Sequence, residues 1–277
     1  MKKLFKNSIY AFSYGDAYGE NPNYPYIWTD DTSLTLALID AFSKGKDVYL
    51  FRKKLYKNIK DYFEKGKFSP YKIPFKYGKT TYKSIKRKKG LKNDFSCGNG
   101  SAMRALPLAF LLFDKNLLKR SKYNHLQSAI THAHIRVLAG CDIYVEFAQS
   151  LIKYKNKIMA LKDLRKKMDI LTKFYGKKYF SYFKEYEEIF KPNFYKNSPP
   201  KSSAFIVDTI KCIFYSIFNA KDIITCLKIS SKFKGDPDTI CAMSMGLYGI
   251  LQAFPKIYFK KLKSYFFIEK ILNLVKL

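Results

Sequence analysis

Apolar residues recur along this chain with the spacing of helices. Leu34, Leu38 and Phe42 stand at i, i+4 and i+8, while Ile206, Ile210, Ile213, Phe214 and Ile217 form a broad stripe. Met243, Leu247, Ile250 and Leu251 form another. Period-two alternation is scarce, and no Asn-Gly turn lies between alternating apolar runs, so strands are not expected. The pattern predicts an all-α, multi-helix protein, with helices over 2–13, 30–43, 48–64, 79–89, 101–113, 121–130, 135–153, 158–173, 179–190, 203–217, 220–231, 238–252 and 257–275. Residues 66–78, with Pro70 and Pro74, and 191–201, with Pro192, Pro199 and Pro200, break the pattern and read as loops. The second loop is not read as a linker, because the acidic motifs on either side of it must meet to form one site. The chain 1–277 is therefore read as a single domain.

Two of the predicted helices begin alike. Trp28-Thr29-Asp30-Asp31-Thr32 precedes Leu34 to Ile39, and Gly235-Asp236-Pro237-Asp238-Thr239 precedes Ile240 to Met243. Thr29 reads as an N-cap, and Asp30 and Asp31 fall in the first turn, where free N–H groups and the macrodipole favour anions. Either motif alone is an ordinary capped helix. Brought together, they gather four carboxylates and two hydroxyls, and that much negative charge in a partly dry pocket requires a cation. Oxygen ligands without His or Cys suit a hard metal, Mg²⁺ or Mn²⁺, as one ion or two.

Other stretches carry chemistry of their own. Gly15-Asp16-Ala17-Tyr18-Gly19 reads as a helix end and turn just upstream of the first acidic motif. Ser96-Cys97-Gly98-Asn99-Gly100-Ser101-Ala102-Met103-Arg104 reads as a loop opening onto a helix from Ala102 to Phe113, bent at Pro107. Bare N–H groups there would cradle a phosphate; the same residues also make a plain turn with Ser101 as cap. Arg104 is assigned to a structural carboxylate rather than to a phosphate. Thr131-His132-Ala133-His134 places two histidines where they share no helix face, a poor zinc pair; His132 is read as facing a ligand and His134 as capping or packing. No His-Asp dipeptide, G-x-S-x-G or Walker A motif occurs, which argues against the enzymes built on them.

Composition narrows the setting. A hydrophobic fraction of 47% supports a substantial core, and no apolar run of about 18 residues suggests a membrane span. The N-terminus opens like a secretory signal, but Lys6, Asn7, Ser8, Ser13 and Asp16 interrupt any apolar core, so a cytoplasmic location is expected. The five cysteines include no C-x-x-C pair and read as buried thiols. Lys and Arg number 52 against 22 Asp and Glu, a net charge of +30 that points to a polyanionic partner. Abundant Lys, Phe, Tyr, Ile and Asn together also fit an AT-rich coding sequence, which lowers the weight of that charge. Residues 44–92 hold 18 basic and 3 acidic side chains, and Lys86-Arg87-Lys88-Lys89 is either a phosphate-facing cluster or a solvated helix end. Nucleic acid is kept as a partner, though not the favoured one.

Taken in order, Gly15-Asp16-x-x-Gly19, Thr29-Asp30-Asp31-Thr32, Ser96-x-Gly98-Asn99-Gly100-Ser101-x-Met103-Arg104, Thr131-His132 and Gly235-Asp236-x-Asp238-Thr239 resemble the ADP-ribosylglycohydrolase family. Phe205-Ile206-Val207-Asp208-Thr209 resembles the helix start found before the family's last motif. The resemblance implies an all-α fold with a two-metal Mg²⁺ or Mn²⁺ centre, ligated by Thr29, Asp30 and Asp31 from one side and by Asp236, Asp238 and Thr239 from the other. It implies that Gly98, Asn99, Gly100 and Ser101 hold the diphosphate and ribose of ADP-ribose, with His132 beside them. The activity implied is hydrolysis of the glycosidic bond joining ADP-ribose to a protein side chain or small molecule, by a monomer. Asp30 and Asp31, then Asp236, are the expected catalytic carboxylates. Asn23 stands where family members often carry a glutamate, which leaves Glu20 as the acid of that segment. The stretch from Gly19 to Thr29 is short, and Lys234 replaces a glycine. A non-catalytic ADP-ribose-binding protein and a hydrolase of ADP-ribosylated nucleic acid are the rival readings.

Overall fold

The computed structural model describes residues 1–43 and 47–277; Lys44 and Lys46 of the basic segment lie outside the described residues. Among the described residues the regular structure is helical, with only isolated β-bridges. Residues from Phe5 to Val275 contribute to one continuous apolar cluster. The five cysteines are buried and free.

Two helices set the position of everything at the site. α1 (Lys2–Glu20) lies antiparallel against α12 (Pro237–Leu251). Ser8 donates to the carbonyl of Gly246 at 2.7 Å, and the Asn7 amide reaches the carbonyl of Gly249 at 2.6 Å. The approach is close enough to require missing side chains: a Cβ on Gly15 would lie 2.6 Å from the Cys241 carbonyl oxygen, and one on Gly19 2.5 Å from that of Pro237. Gly15 and Gly19 therefore do not end α1, as a local reading of glycine expects; the helix runs on to Glu20 because they face a neighbour. The last turn of α1 is thereby set beside the first turn of α12.

α2 (Asp30–Ser43) starts where predicted and is buried on nearly every face, as is α7 (Ile135–Tyr154). Phe147 of α7 meets Phe214 of α10 (Ile206–Asn219) with ring centroids 4.5 Å apart. Charges on α7 are paired: Glu146 accepts from Arg120 at 2.7 and 2.8 Å, and Lys167 stands 3.1 Å away. Paired burial of this kind avoids the large penalty of an isolated charge.

Elsewhere the helices are shorter than their apolar spacing suggests. The segment 101–113 contains only α5 (Pro107–Leu111). The Asn99 carbonyl accepts from both Ala102 and Met103, closing a turn, and Pro107 has no N–H with which to continue a helix begun earlier. The segment 257–275 divides into α13 (Lys256–Phe259) and α14 (Tyr265–Asn273), because Lys263 bonds to the Tyr26 carbonyl at 2.9 Å and Ser264 turns left-handed at φ 57°. Within 179–190 the α-helical part is α9 (Lys177–Phe183), followed by a 3₁₀ stretch to Phe190. The loop 66–78 follows α3 (Val48–Lys65), whose left-handed cap is Gly66 at φ 60°.

Because backbone atoms of α12 cannot yield as a flexible side chain would, Gly19→Ala is expected to lower stability by about 1–3 kcal/mol despite the better helix propensity of alanine. Gly78→Ala, whose Cβ would make an ordinary 3.6 Å contact with Thr81, should change it by less than about 0.5 kcal/mol. Urea unfolding of the two variants checks the contrast.

Candidate active site

The site is built outward from Asp16. Its carboxylate, fully buried on α1, accepts from the Thr29 N–H at 3.0 and 3.1 Å and from the Thr29 hydroxyl at 2.7 Å. It also accepts from the Thr32 N–H at 3.0 Å and the Thr32 hydroxyl at 2.6 Å. Thr32 lies in the first turn of α2, so a residue of another helix caps that turn. Thr29 is the local cap as well: its Oγ1 accepts from Asp31 N at 3.2 Å and its carbonyl from Ser33 N at 3.2 Å.

The second acidic motif meets the first directly. Thr239, in the first turn of α12, donates its hydroxyl to Asp31 at 3.0 and 3.2 Å across 208 residues of chain. Burial, reinforced by neighbouring carboxylates, pushes Asp30 up to about 8, Asp236 up to about 7 and Asp31 well above the ordinary carboxylate range. Asp16 is raised by burial to about 7 against the pull of its four donors. Asp30, Asp236, Asp238 and Thr239 line a cavity of about 470 Å³; Asp31 and Thr29 lie buried just behind its wall.

The Gly98–Gly100 loop forms the opposite wall. Asn99 ties it down: its N–H donates to the Ala204 carbonyl at 2.9 Å, and its side-chain amide donates to Asp236 at 2.5 Å and Thr209 at 3.0 Å. Ser101 turns the other way, fully buried, with its hydroxyl 2.8 Å from that of Ser128 and no part in lining the cavity. Arg104 pairs with no carboxylate among the described residues. Its guanidinium donates to the carbonyls of Gly100 and Gln127, to the Gln127 side chain and to Thr131, all at 2.8–2.9 Å. Gln127 belongs to the last turn of α6 (Leu117–Ser128), where the negative end of the macrodipole stands in for a counter-ion.

That arrangement orients His132. Burial, then the Arg104 charge, lower its pKa to about 3, so the ring is neutral. The Thr131 hydroxyl, 2.9 Å from Nδ1, already accepts from Arg104 and has its own proton to give. The ring proton then resides on Nε2, on the side facing the Gly98 and Gly100 backbone. Beneath the same loop, the buried Thr81 hydroxyl has no hydrogen-bond partner among the described residues.

Lys76 lines the cavity without any local signal in the sequence. Lys76, on the 66–78 loop, contacts the Glu20 carboxylate and reaches Asp238 at 3.1 Å. Glu20 itself ends α1 at the edge of the cavity, and Asn23 is exposed. Asp16 was quoted only as part of a turn; its place between two glycines on an apolar helix was the available clue. His134 caps α7, accepting from Arg136 N at 3.2 Å. Its cluster with Asp94 and Cys97 is no cation site, since the Arg136 guanidinium stands 3.1 Å from Asp94 and 3.3 Å from Cys97.

Comparison with known proteins identifies the family. The family model for ADP-ribosylglycohydrolase matches residues 4–275. The chain is 24% identical over 265 residues, 90% of its length, to the ADP-ribosylarginine hydrolase Tri1 of Serratia proteamaculans (strain 568). It is 24% identical over 238 residues, 81% of its length, to the protein of the same name from Pseudomonas putida (strain GB-1). It spans 66% and 58% of the length of these two relatives. A solved structure described as an ADP-ribosylglycohydrolase-related protein complex superposes with a TM-score of 0.72 at 16% identity, covering 99% of this chain and 98% of that one. With the family model spanning nearly every residue and the fold shared end to end, this chain belongs to the ADP-ribosylglycohydrolase family.

Proposed function

We propose that the chain is a metal-dependent hydrolase that releases ADP-ribose from a modified side chain, with arginine the first linkage to test. The observation that carries this reading is the Thr239–Asp31 bond, which joins the two acidic helix starts at a cavity shared with the Gly98–Gly100 loop and His132. The names of the two curated relatives support arginine as acceptor.

Thr29, Asp30, Asp31, Asp236, Asp238 and Thr239 would hold Mg²⁺ or Mn²⁺. They fit it: every donor is oxygen, and the carboxylates are raised by burial first and by neighbouring carboxylates second, both of which a cation offsets. When bound, such an ion orients the ribose hydroxyls and makes water more acidic. The bond from ribose C1 to the acceptor nitrogen breaks with oxocarbenium character; water adds its oxygen to C1 and loses a proton, and the leaving nitrogen gains one. Asp30, which faces the cavity, is the carboxylate placed to take up the first of these. Glu20 is held by Lys76, which makes it the second choice. Gly98 and Gly100 let backbone approach a diphosphate closely, and His132 offers Nε2–H beside them.

Free ADP-ribose should appear from arginine-linked substrate with Mg²⁺ or Mn²⁺ and not with EDTA. Asp31→Asn and Asp238→Asn should each lower the rate at least about 100-fold. Wild-type turnover by either variant, or turnover in EDTA, removes the metal assignment.

The crowding has a second consequence. A carboxylate whose folded pKa exceeds the unfolded value of 3.8 makes the native state bind more protons, so its contribution destabilises at pH 8 and fades as pH falls towards 4. Asp31→Asn should therefore stabilise the metal-free protein by about 1–3 kcal/mol at pH 8 and by little at pH 5. Thermal melts in EDTA at the two pH values check this; a pH-independent difference contradicts it.

A second reading, in which the modified acceptor is nucleic acid, rests on a separate cavity of about 750 Å³. It is lined by Arg52, Lys53, Lys60, Lys88, Lys89 and Lys92 together with Tyr49 and Tyr56, and by no acidic residue. Cations interleaved with rings suit a single strand. Fluorescence anisotropy with a labelled single-stranded RNA should show affinity falling steeply with salt, and Lys53→Glu with Lys88→Glu should weaken it at least about 10-fold. Equal competition by heparin reduces the effect to general charge attraction.

A further inference from the structure

Lys76 is a cation delivered into the acidic site by the fold itself. Its backbone is left-handed at φ 58°, a conformation uncommon for non-glycine residues. The group that holds it is Tyr62, fully buried on α3. The Tyr62 hydroxyl lies 2.6 Å from the Phe75 carbonyl and 2.8 Å from the Lys76 carbonyl, and accepts from Phe75 N at 3.1 Å. The loop is thus clamped at the residue whose side chain turns inward. There the Lys76 ammonium meets Glu20 and Asp238 together.

Resting on the metal reading above, we propose that Lys76 holds the place of one divalent ion, so that the centre binds a single Mg²⁺ or Mn²⁺ and uses the lysine as its second cation. An ammonium is a compact charge with three donors, able to satisfy two carboxylates at once. The clamp keeps it at high effective concentration against a metal that must come from solution. A divalent ion at the same Asp238 oxygen meets direct repulsion from it. Asp30, Asp31 and Asp236, with the hydroxyls of Thr29 and Thr239, remain for one ion, which needs only one or two carboxylates and water. Asp16 is not available, since both its oxygens already accept from Thr29 and Thr32.

The test is Mn²⁺ binding by titration calorimetry and electron paramagnetic resonance, which read stoichiometry without turnover. The wild-type chain should bind one Mn²⁺ with the spectrum of an isolated ion. Lys76→Met keeps the stem and the same backbone demand, and should bind two Mn²⁺ with the broadened spectrum of an exchange-coupled pair; Lys76→Arg should bind one. Two ions in the wild type overturn the proposal while the metal reading stands. One ion in both wild type and Lys76→Met overturns it too, as does binding by Lys76→Met alone. No Mn²⁺ in any variant overturns the metal reading itself.

Discussion

One carboxylate holds the site in register. Asp16 gathers the N–H and hydroxyl of both Thr29 and Thr32, and it does so from a different helix. A cap supplied locally would fix only the end of α2; a cap supplied by α1 fixes the position of α2 relative to everything α1 touches. Since α1 is locked to α12 by contacts too close for side chains at Gly15 and Gly19, the two acidic helix starts share one reference point. Their meeting at Thr239 and Asp31 follows from that geometry rather than from any attraction between them. Separation of α1 from α12 would at once uncap α2 and disperse the carboxylates, so the stability of the site is the stability of that helix pair.

The same geometry forces like charges together. Asp30, Asp31 and Asp236 are buried, and burial together with the charge of Asp238 raises the proton affinity of all three. Such a cluster is tolerated because the surrounding core is continuous and because charges elsewhere in it, such as Glu146 with Arg120 and Lys167, are paired. Arg104 shows a different solution. With no carboxylate among the described residues bonded to it, it is stabilised by carbonyl oxygens at the end of α6 and of the glycine loop, and its charge adds to burial in keeping His132 neutral. A carboxylate in its place would have added negative charge beside a wall that already faces four aspartates.

What the sequence disclosed divides along physical lines. Helix positions were legible wherever burial imposes a 3.6-residue period, and the start of α2 was legible to the residue because capping chemistry is local. The acidic helix starts that carry Asp30, Asp31, Asp236 and Asp238 were visible for the same reason. Glycine misled at positions 15 and 19, since a residue that ends helices also allows two helices to touch, and only the partner tells which. The helix expected over 101–113 failed because the Asn99 turn and Pro107 outweigh an apolar run. Lys76 was invisible among the 18 basic residues of 44–92, because nothing local distinguishes a lysine that points into a pocket from one that points into water.

Asn99 links the two halves of the cavity. Its carbonyl closes the turn that shapes the glycine loop, while its amide nitrogen bridges Asp236 and Thr209. A ligand that draws the loop inward therefore pulls on an acidic residue of the opposite wall, and a change in the charge on Asp236 alters the hold on the loop. Asparagine is suited to this because its amide offers both a donor and an acceptor without a charge of its own. An aspartate there would repel Asp236, and an apolar residue would free the loop from it. The glycine-loop wall and the acidic wall are in this way one mechanical unit, although the sequence presents them as motifs more than a hundred residues apart.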